Sequence, residues 1–224
     1  MKRKVAILCP AYDGKVVCDF SVCMAEIFRV AAAHHPDLTL HLNFWMYEAI
    51  IQKARNNLFG EAYEAGCDDI VFIDSDQSFP IQAFFDILQH PVDVVGLPVR
   101  MKTDDERYNL RPEDPAKHKW NSDLKLVETE VIGTGFLKLS RRAMEVLWKE
   151  SRTYFDGKER RLICNIDIIN GGMISEDVQI CEKLRAAGIP IHVDIRYTCD
   201  HFGTKRFTGN YKQKFAGSLT DQIL

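Results

Sequence analysis

In VFIDSDQSF, residues 71–79, Val71, Phe72 and Ile73 run straight into Asp74 and Asp76, and the stretch stops at Pro80. A short unbroken apolar run bounded by turn residues reads as a buried strand. Ending it on two carboxylates one residue apart sets like charges close together beside apolar surface, which is costly unless a cation sits between them. Oxygen ligands of this kind suit Mg²⁺ or Mn²⁺, usually shared with the phosphates of a substrate. The competing explanation is an Asx-type turn leading into a helix after Pro80.

Outward from this strand, short apolar runs alternate with longer amphipathic ones, the pattern of a parallel sheet covered by helices. KVAILC (4–9) predicts a first strand. The following helix, VCDFSVCMAEIFRVAAAHH, carries Phe20, Cys23, Met24, Ile27 and Val30 on one face. LTLHLNFW (38–45) alternates as a second strand, and YEAIIQKARNNLFGEAYEAG gives a helix that Gly66 can end. DIVFID is the third strand, a short helix follows Pro80, and VDVVGLPV is the fourth strand. These first hundred residues or so make a half-sheet of the nucleotide-binding type.

Beyond Arg100 the chain turns polar, and RMKTDDERYNLRPEDPAKHKWNSDLK predicts a long loop or a pair of edge strands. KLVETEVIGTGFLKLS resumes strand character, interrupted by Gly133 and Gly135. RRAMEVLWKE and SEDVQICEKLRAAG are helices, the second with Ser175 at its N-cap position, and IPIHVDIRYTCDHFG holds two short strands. The last twenty residues read as irregular.

The chain of 224 residues is 46% hydrophobic and 27% charged, enough to bury one sizeable core. A net charge of -3 supplies no general basic field for nucleic acid. Seven cysteines without a CxxC pair, mostly in apolar stretches, fit a reduced cytoplasm. The start MKRKVAILCPAYDG imitates a signal peptide, but its apolar run is about half the shortest usual one, so it reads as a strand. No stretch approaches the roughly 18 apolar residues of a membrane helix, so a soluble protein is expected.

CPAYDG, ARNNLFGEAYEAGCDDIVFIDSDQSFP, VVGLPVRMK, VIGTGFLKLSRRAMEVL, SEDVQICEKLRAAG and HFG follow one another along most of the chain. In this order they resemble the GT-A glycosyltransferases, and within them the short enzymes of phages and some bacteria related to the large inverting group. The resemblance implies one GT-A domain: a Rossmann-like, mostly parallel central sheet flanked by helices, with a donor half over about residues 1–100 and an acceptor half with a C-terminal loop over about 101–224. It implies a soluble cytoplasmic enzyme, in the host cytoplasm if viral. Its reaction would be Mn²⁺- or Mg²⁺-dependent transfer from a UDP- or GDP-linked sugar.

The family roles transfer residue by residue. Pro10, Ala11, Tyr12 and Asp13 would receive the base and ribose, and Arg55 would face the nucleotide. Asp74 and Ser75 would contact the ribose or donor sugar, Asp76 the metal bridging the diphosphate, with Asp74 beside it and His201 completing the coordination. Lys205 or Arg206 would close over the phosphates. Gly133, Thr134 and Gly135 would let backbone approach a sugar, a β-bulge being the plain alternative. Asp177 would take the acceptor proton, with Glu176 the substitute, although acidic residues also favour a helix start for its dipole.

SED favours inversion in the resemblance, but a late metal-binding histidine is also familiar in retaining members, so retention stays open as the alternative. VFIDSDQSF resembles, in addition, the strand-end motif of haloacid dehalogenase-like phosphatases, where the first aspartate is a nucleophile. That motif belongs near the N-terminus, whereas here it follows two βα units. A nucleotide-sugar-binding module without turnover is a third reading. The acceptor is open among a glycan, a lipid-linked sugar, a protein and a modified base in phage DNA. The tail GTKRFTGNYKQKF interleaves Lys205, Arg206, Lys212 and Lys214 with Phe207, Tyr211 and Phe215, fit to grip phosphates and stack on rings, or to remain a solvated closing loop.

Overall fold

A computed structural model describes residues 2–169 and 171–218. The predicted first strand is β1 (Arg3–Ala11), followed by α1 (Cys18–His34), β2 (Leu38–Met46), α2 (Ile51–Glu64) and β3 (Asp69–Ile73). Alternation along β1 assigns the two faces of the sheet: Val5, Ile7 and Cys9 pack against α1, while Ala6 and Leu8 pack against α2. Of the face predicted for α1, Phe20, Cys23, Met24 and Ile27 are buried and Val30 is half-buried. Gly66, at φ +69, follows the end of α2, in the left-handed conformation a side chain resists.

The two aspartates do not lead directly into a helix. After β3 the chain makes a two-residue strand, β4 (Gln77–Ser78), before α3 (Ile81–Gln89) and β5 (Val94–Gly96). α1 and α3 cover one face of the sheet and α2 the other.

The polar segment after Arg100 is built rather than open: β6 (Leu110–Arg111), a single 3-10 turn at Pro115–Lys117 and β7 (Lys119–Asn121) lead to β8 (Leu126–Thr129) and β9 (Val131–Ile132). β7 is an edge strand paired with β8, as one of the two alternatives for this segment expects. Gly133, Thr134 and Gly135 form the turn into β10 (Phe136–Ser140), and α4 (Arg141–Glu150) follows, capped by Ser140 Oγ accepting from the Ala143 N–H.

Two hairpins that the sequence reading leaves unassigned come next, β11 (Thr153–Asp156) with β12 (Lys158–Arg161) and β13 (Asp167–Ile169) with β14 (Gly172–Ile174). The chain continues through α5 (Glu176–Ala186), β15 (Ile191–Val193), β16 (Asp200–Phe202), β17 (Arg206–Phe207) and α6 (Tyr211–Ser218). α6 corrects the expectation of an irregular tail. Tyr211 and Phe215, four residues apart, are both buried and anchor one helical face among Lys and Gln residues. Residues 219–224 of that tail lie outside the described residues.

The eight-stranded sheet has the order β2-β1-β3-β10-β5-β15-β8-β7. β10 runs antiparallel between β3 and β5, and β8 antiparallel between β15 and β7, while the other six strands share one direction. The sheet is therefore mostly parallel in strand direction, and it draws strands from both sides of residue 100. β3 and β10 lie side by side, so the Asp74 turn and the Gly133–Gly135 turn meet at one end, where the Asp74 N–H donates to the Gly135 carbonyl at 3.0 Å.

Candidate active site

A cleft of about 380 Å³ opens at the end of β3, lined by Arg55, Asp74, Gln77, Arg100, Lys102, Asn109, the Gly133–Gly135 turn, Glu176, Asp177 and His201 among others. A second hollow of about 220 Å³ adjoins it, sharing Ile51, Asp74 and His201 and adding Pro10, Ala11, Tyr12, Trp45, Glu48, Ser75 and Asp76. The larger alone has the size of a small-molecule site, roughly 300–1,000 Å³. Between them the two hollows lie at the carboxyl ends of β1 and β3, where open α/β sheets bind ligands. Every site residue expected from sequence lines one of the two hollows except Asp13, Lys205 and Arg206.

Those three have partners elsewhere. Asp13 is exposed and paired with Lys15 at 3.3 Å. Lys205 Nζ lies 2.6 Å from Asp104, and Arg206 lies 2.6 Å from Asp200. Neither side chain lines the cleft here: Lys205, just before β17, sits against Asp104, and Arg206, at its start, against Asp200.

Asp74 and Asp76 have different surroundings. Arg55, in α2 and 4% exposed, donates from one guanidinium nitrogen to Asp74 Oδ1 at 2.8 Å and from the other to Glu176 Oε1 at 2.7 Å. The arginine thus ties the start of α5 to the end of β3 with a fork of charge-assisted bonds. Gln52 donates a further bond to Glu176 at 3.3 Å. The neighbouring Asp177 is held by its Oδ1 alone, which accepts from the Ser175 hydroxyl and from the Val178 N–H at 2.9 Å. Ser175 occupies the N-cap position as predicted, but its hydroxyl serves the aspartate instead of a backbone N–H.

Asp76 faces the opposite way. His201 Nε2 lies 3.2 Å from its Oδ1, and the Lys102 ammonium contacts its Oδ2. The pairing follows from β16, which is antiparallel to β4 and sets His201 across from Gln77. The Phe202 N–H donates to the Asp76 carbonyl at 2.8 Å. Burial works against ionisation of Asp76, but the hydrogen bonds and charges of His201 and Lys102 outweigh it and hold the carboxyl below its ordinary range.

Both ring nitrogens of His201 face oxygen, Nδ1 with the Arg100 carbonyl at 3.0 Å and Nε2 with Asp76. A neutral imidazole has one N–H and satisfies one of these; the other contact calls for a second proton or a cation between nitrogen and carboxylate. A histidine whose outer N–H is fixed by a backbone carbonyl is also the usual arrangement of a metal ligand. Among the described residues no three His, Cys, Asp or Glu side chains gather as a complete metal cage. Asp76 and His201 make a two-donor half-site, while Asp74 is taken by Arg55.

Close approach explains the GTG turn. A Cβ on Gly135 would stand 2.4 Å from Gln77 Nε2 and 3.2 Å from Asp74 Oδ2, and one on Gly133 would stand 2.8 Å from Asn109 Nδ2. Three cleft residues carry buried polar atoms without a partner: Arg55 Nε, Arg100 Nε and both amide atoms of Gln77. Cys9, behind the aspartates in β1, has its thiol pushed up first by burial and then by the charges of Asp74 and Asp76, so it stays neutral. The sequence reading gave no role to Gln77, Arg100, Lys102, Asn109, Trp45 or Glu48. Arg100 and Lys102 stand in the quoted segment VVGLPVRMK; the Arg100 guanidinium bonds within its own loop, whereas the partner of Lys102, Asp76, lies 26 residues away.

No protein-family model and no curated protein matches this sequence. Solved structures do. A197 from STIV aligns with a TM-score of 0.55 at 17% identity, over 90% of this chain and 86% of that one. The fold is GT-A-like. TarS 1-349 of S. aureus, in complex with UDP-GlcNAc, gives 0.48 at 14% identity over 100% of this chain and 68% of that chain. A glycosyltransferase involved in the glycosylation of the major capsid of PBCV-1 gives 0.31 at 17% identity, over 65% of each chain. At such identities the likeness to A197 speaks for the fold alone, and the two lower scores carry no argument. The chemistry of the GT-A-like chain rests on its own cleft. No helix among its described residues is long and apolar enough to cross a membrane.

Proposed function

We propose that this protein is a glycosyltransferase that moves a sugar from a nucleoside-diphosphate sugar to an acceptor hydroxyl with inversion. One observation carries the reading: Asp74, Asp76, the GTG turn, Asp177 and His201, from four separate parts of the chain, line two adjoining hollows that share Asp74 and His201. Exposed Tyr12 beside Pro10 and Ala11 offers a face for the base. The donor's diphosphate lies toward Asp76 and its sugar toward the GTG turn.

Asp76 and His201 would hold a divalent cation, Mn²⁺ or Mg²⁺, together with diphosphate oxygens. Such an ion, when bound, neutralises the charge that develops on the departing nucleoside diphosphate. Asp74, fixed by Arg55, orients the donor without joining the metal. Asp177 is the base: its Oδ2 is free of hydrogen bonds, whereas both oxygens of Glu176 are engaged. A phosphatase reading is disfavoured because Arg55 restrains the aspartate that would have to attack. The whole described chain serves as one catalytic domain with donor and acceptor sides.

The test is a thermal-shift panel of UDP and GDP with Mn²⁺, Mg²⁺ or EDTA, followed by Asp177→Asn. Stabilisation by a nucleoside diphosphate should depend on the cation, since a ligand raises stability through its affinity for the folded state. Asp177→Asn should keep that response while transfer falls by about 10² to 10⁴. Loss of nucleotide binding in a folded Asp177→Asn protein, or full transfer by it, would make retention the better account.

A further inference from the structure

We infer that Lys102 is a phosphate-gripping residue of the donor site, parked on Asp76 until a divalent cation takes that carboxylate. The inference rests on the donor site proposed above. Lys102 lines the cleft with Asp74, Asp177 and His201, and its ammonium touches the Asp76 oxygen that His201 leaves free.

The residues around Lys102 prepare it for this position. Its stem lies over Gly203, where an added Cβ would stand 3.2 Å from Cδ and 3.7 Å from Cε. The backbone that carries it is fixed from beneath by Arg100, which is 4% exposed. That guanidinium donates to the carbonyls of Met101 at 2.7 Å, Thr103 at 2.9 Å, and Asp104 and Arg107 at 3.3 Å. The Met101 N–H closes the loop onto the Arg107 carbonyl at 2.9 Å. A fixed base and an exposed tip leave the ammonium free to swing.

Charge supplies the reason to swing. An ion pair as exposed as Lys102 with Asp76 holds weakly, so releasing it costs little. A divalent cation on Asp76 repels the ammonium, and a diphosphate beside that cation accepts it. Lysine serves phosphates as a mobile point charge, with no fixed geometry to satisfy. Lys205 and Arg206, the cations expected there, do not line the cleft, whereas Lys102 does.

The experiment compares wild type, K102M and K102R by calorimetric titration with Mn²⁺ alone and with UDP and GDP at saturating Mn²⁺. K102M should bind Mn²⁺ alone several-fold more tightly, because the competing ammonium is gone, and nucleoside diphosphate about tenfold more weakly, the weight of one charge-assisted hydrogen bond. K102R, which keeps the charge, should hold nucleotide affinity within about threefold of wild type on the same arithmetic. Equal Mn²⁺ affinity in wild type and K102M overturns the parking. Unchanged nucleotide affinity in K102M overturns the grip, and so does a loss in K102R as deep as in K102M, which would make packing over Gly203 the role. Wild type that binds neither nucleotide with any cation removes the donor site itself, a result distinct from a silent K102M.

Discussion

Asp74 and Asp76 are separated by one serine, yet one belongs to the scaffold and the other to the exchangeable part of the cleft. Asp74 shares a guanidinium that is almost wholly buried, whose second carboxylate partner sits at the start of α5. Asp76 is held by a half-exposed lysine and by a histidine from β16, the middle strand of a small three-stranded sheet. The difference teaches how a strand-end acidic pair escapes its own repulsion: each carboxylate finds a separate cation, one permanent and one replaceable. The two sides should therefore respond differently to the same kind of substitution.

The largest effect belongs to the permanent side. Arg55→Met leaves Asp74 and Glu176 facing each other without their cation, and removing one member of a buried charge cluster costs about 3 kcal/mol or more. For a chain of this length that lowers the melting temperature by roughly 6–12 °C, readable by calorimetry in the absence of ligand. A shift under two degrees would show that Asp74 and Glu176 do not need the arginine, and the contrast with Asp76 would collapse.

Gly135→Ala tests the same side more gently. The new methyl group meets the Gln77 amide and approaches Asp74, and an overpacked position of this kind costs about 1–3 kcal/mol. Chemical denaturation should show the loss, and nucleotide-sugar binding should weaken more than binding of the bare nucleoside diphosphate. Equal weakening of both would move the GTG turn away from the sugar.

Legibility in the sequence follows the same division. β1, β3 and the buried face of α1 were readable because burial on both sides of a sheet writes continuous apolar runs, and burial on one side of a helix writes a 3.6-residue period. The acidic pair stood out because two like charges at a strand end need a reason, whereas SED, whose charges already suit a helix start, stood out only through the resemblance. Lys102 was not readable, since its contact with Asp76 spans 26 residues and depends on how Arg100 folds a polar loop. The pairings of Lys205 with Asp104 and of Arg206 with Asp200 were not readable either: basic residues beside HFG suggest phosphate, and only the fold brings Asp104 to Lys205. The hairpins β11–β12 and β13–β14 offer the core little apolar surface, with Phe155, Ile168 and Met173 exposed and Ile174 packed against it, so no period marked them.

On the replaceable side, Asp76→Asn should leave the free protein within about 1 kcal/mol of wild type, the weight of a partly exposed ion pair. Its consequence belongs in binding. Stabilisation by UDP or GDP with Mn²⁺ should fall to the level seen with EDTA, while the melting temperature without ligand barely moves. An Asp76→Asn protein as crippled as Arg55→Met would place both aspartates in the scaffold.

The smallest effect is a pH dependence of that same variant. His201 and Lys102 hold the Asp76 carboxyl below its ordinary range against the opposing effect of burial. A carboxylate whose folded pKa is depressed contributes stability above its unfolded value, about 3.9, and loses it as the pH falls through the folded value. The gap in melting temperature between wild type and Asp76→Asn should therefore be small and constant from pH 7 to about pH 5, and should close below about pH 4. Saturating Mn²⁺ should widen the gap at neutral pH, because the ion binds the carboxylate of the wild type and finds no charge in the amide. A gap that instead widened on acidification would mean that protonating Asp76 relieves strain in the folded chain, and the carboxylate would then be a burden carried for its ligand even with Lys102 in contact.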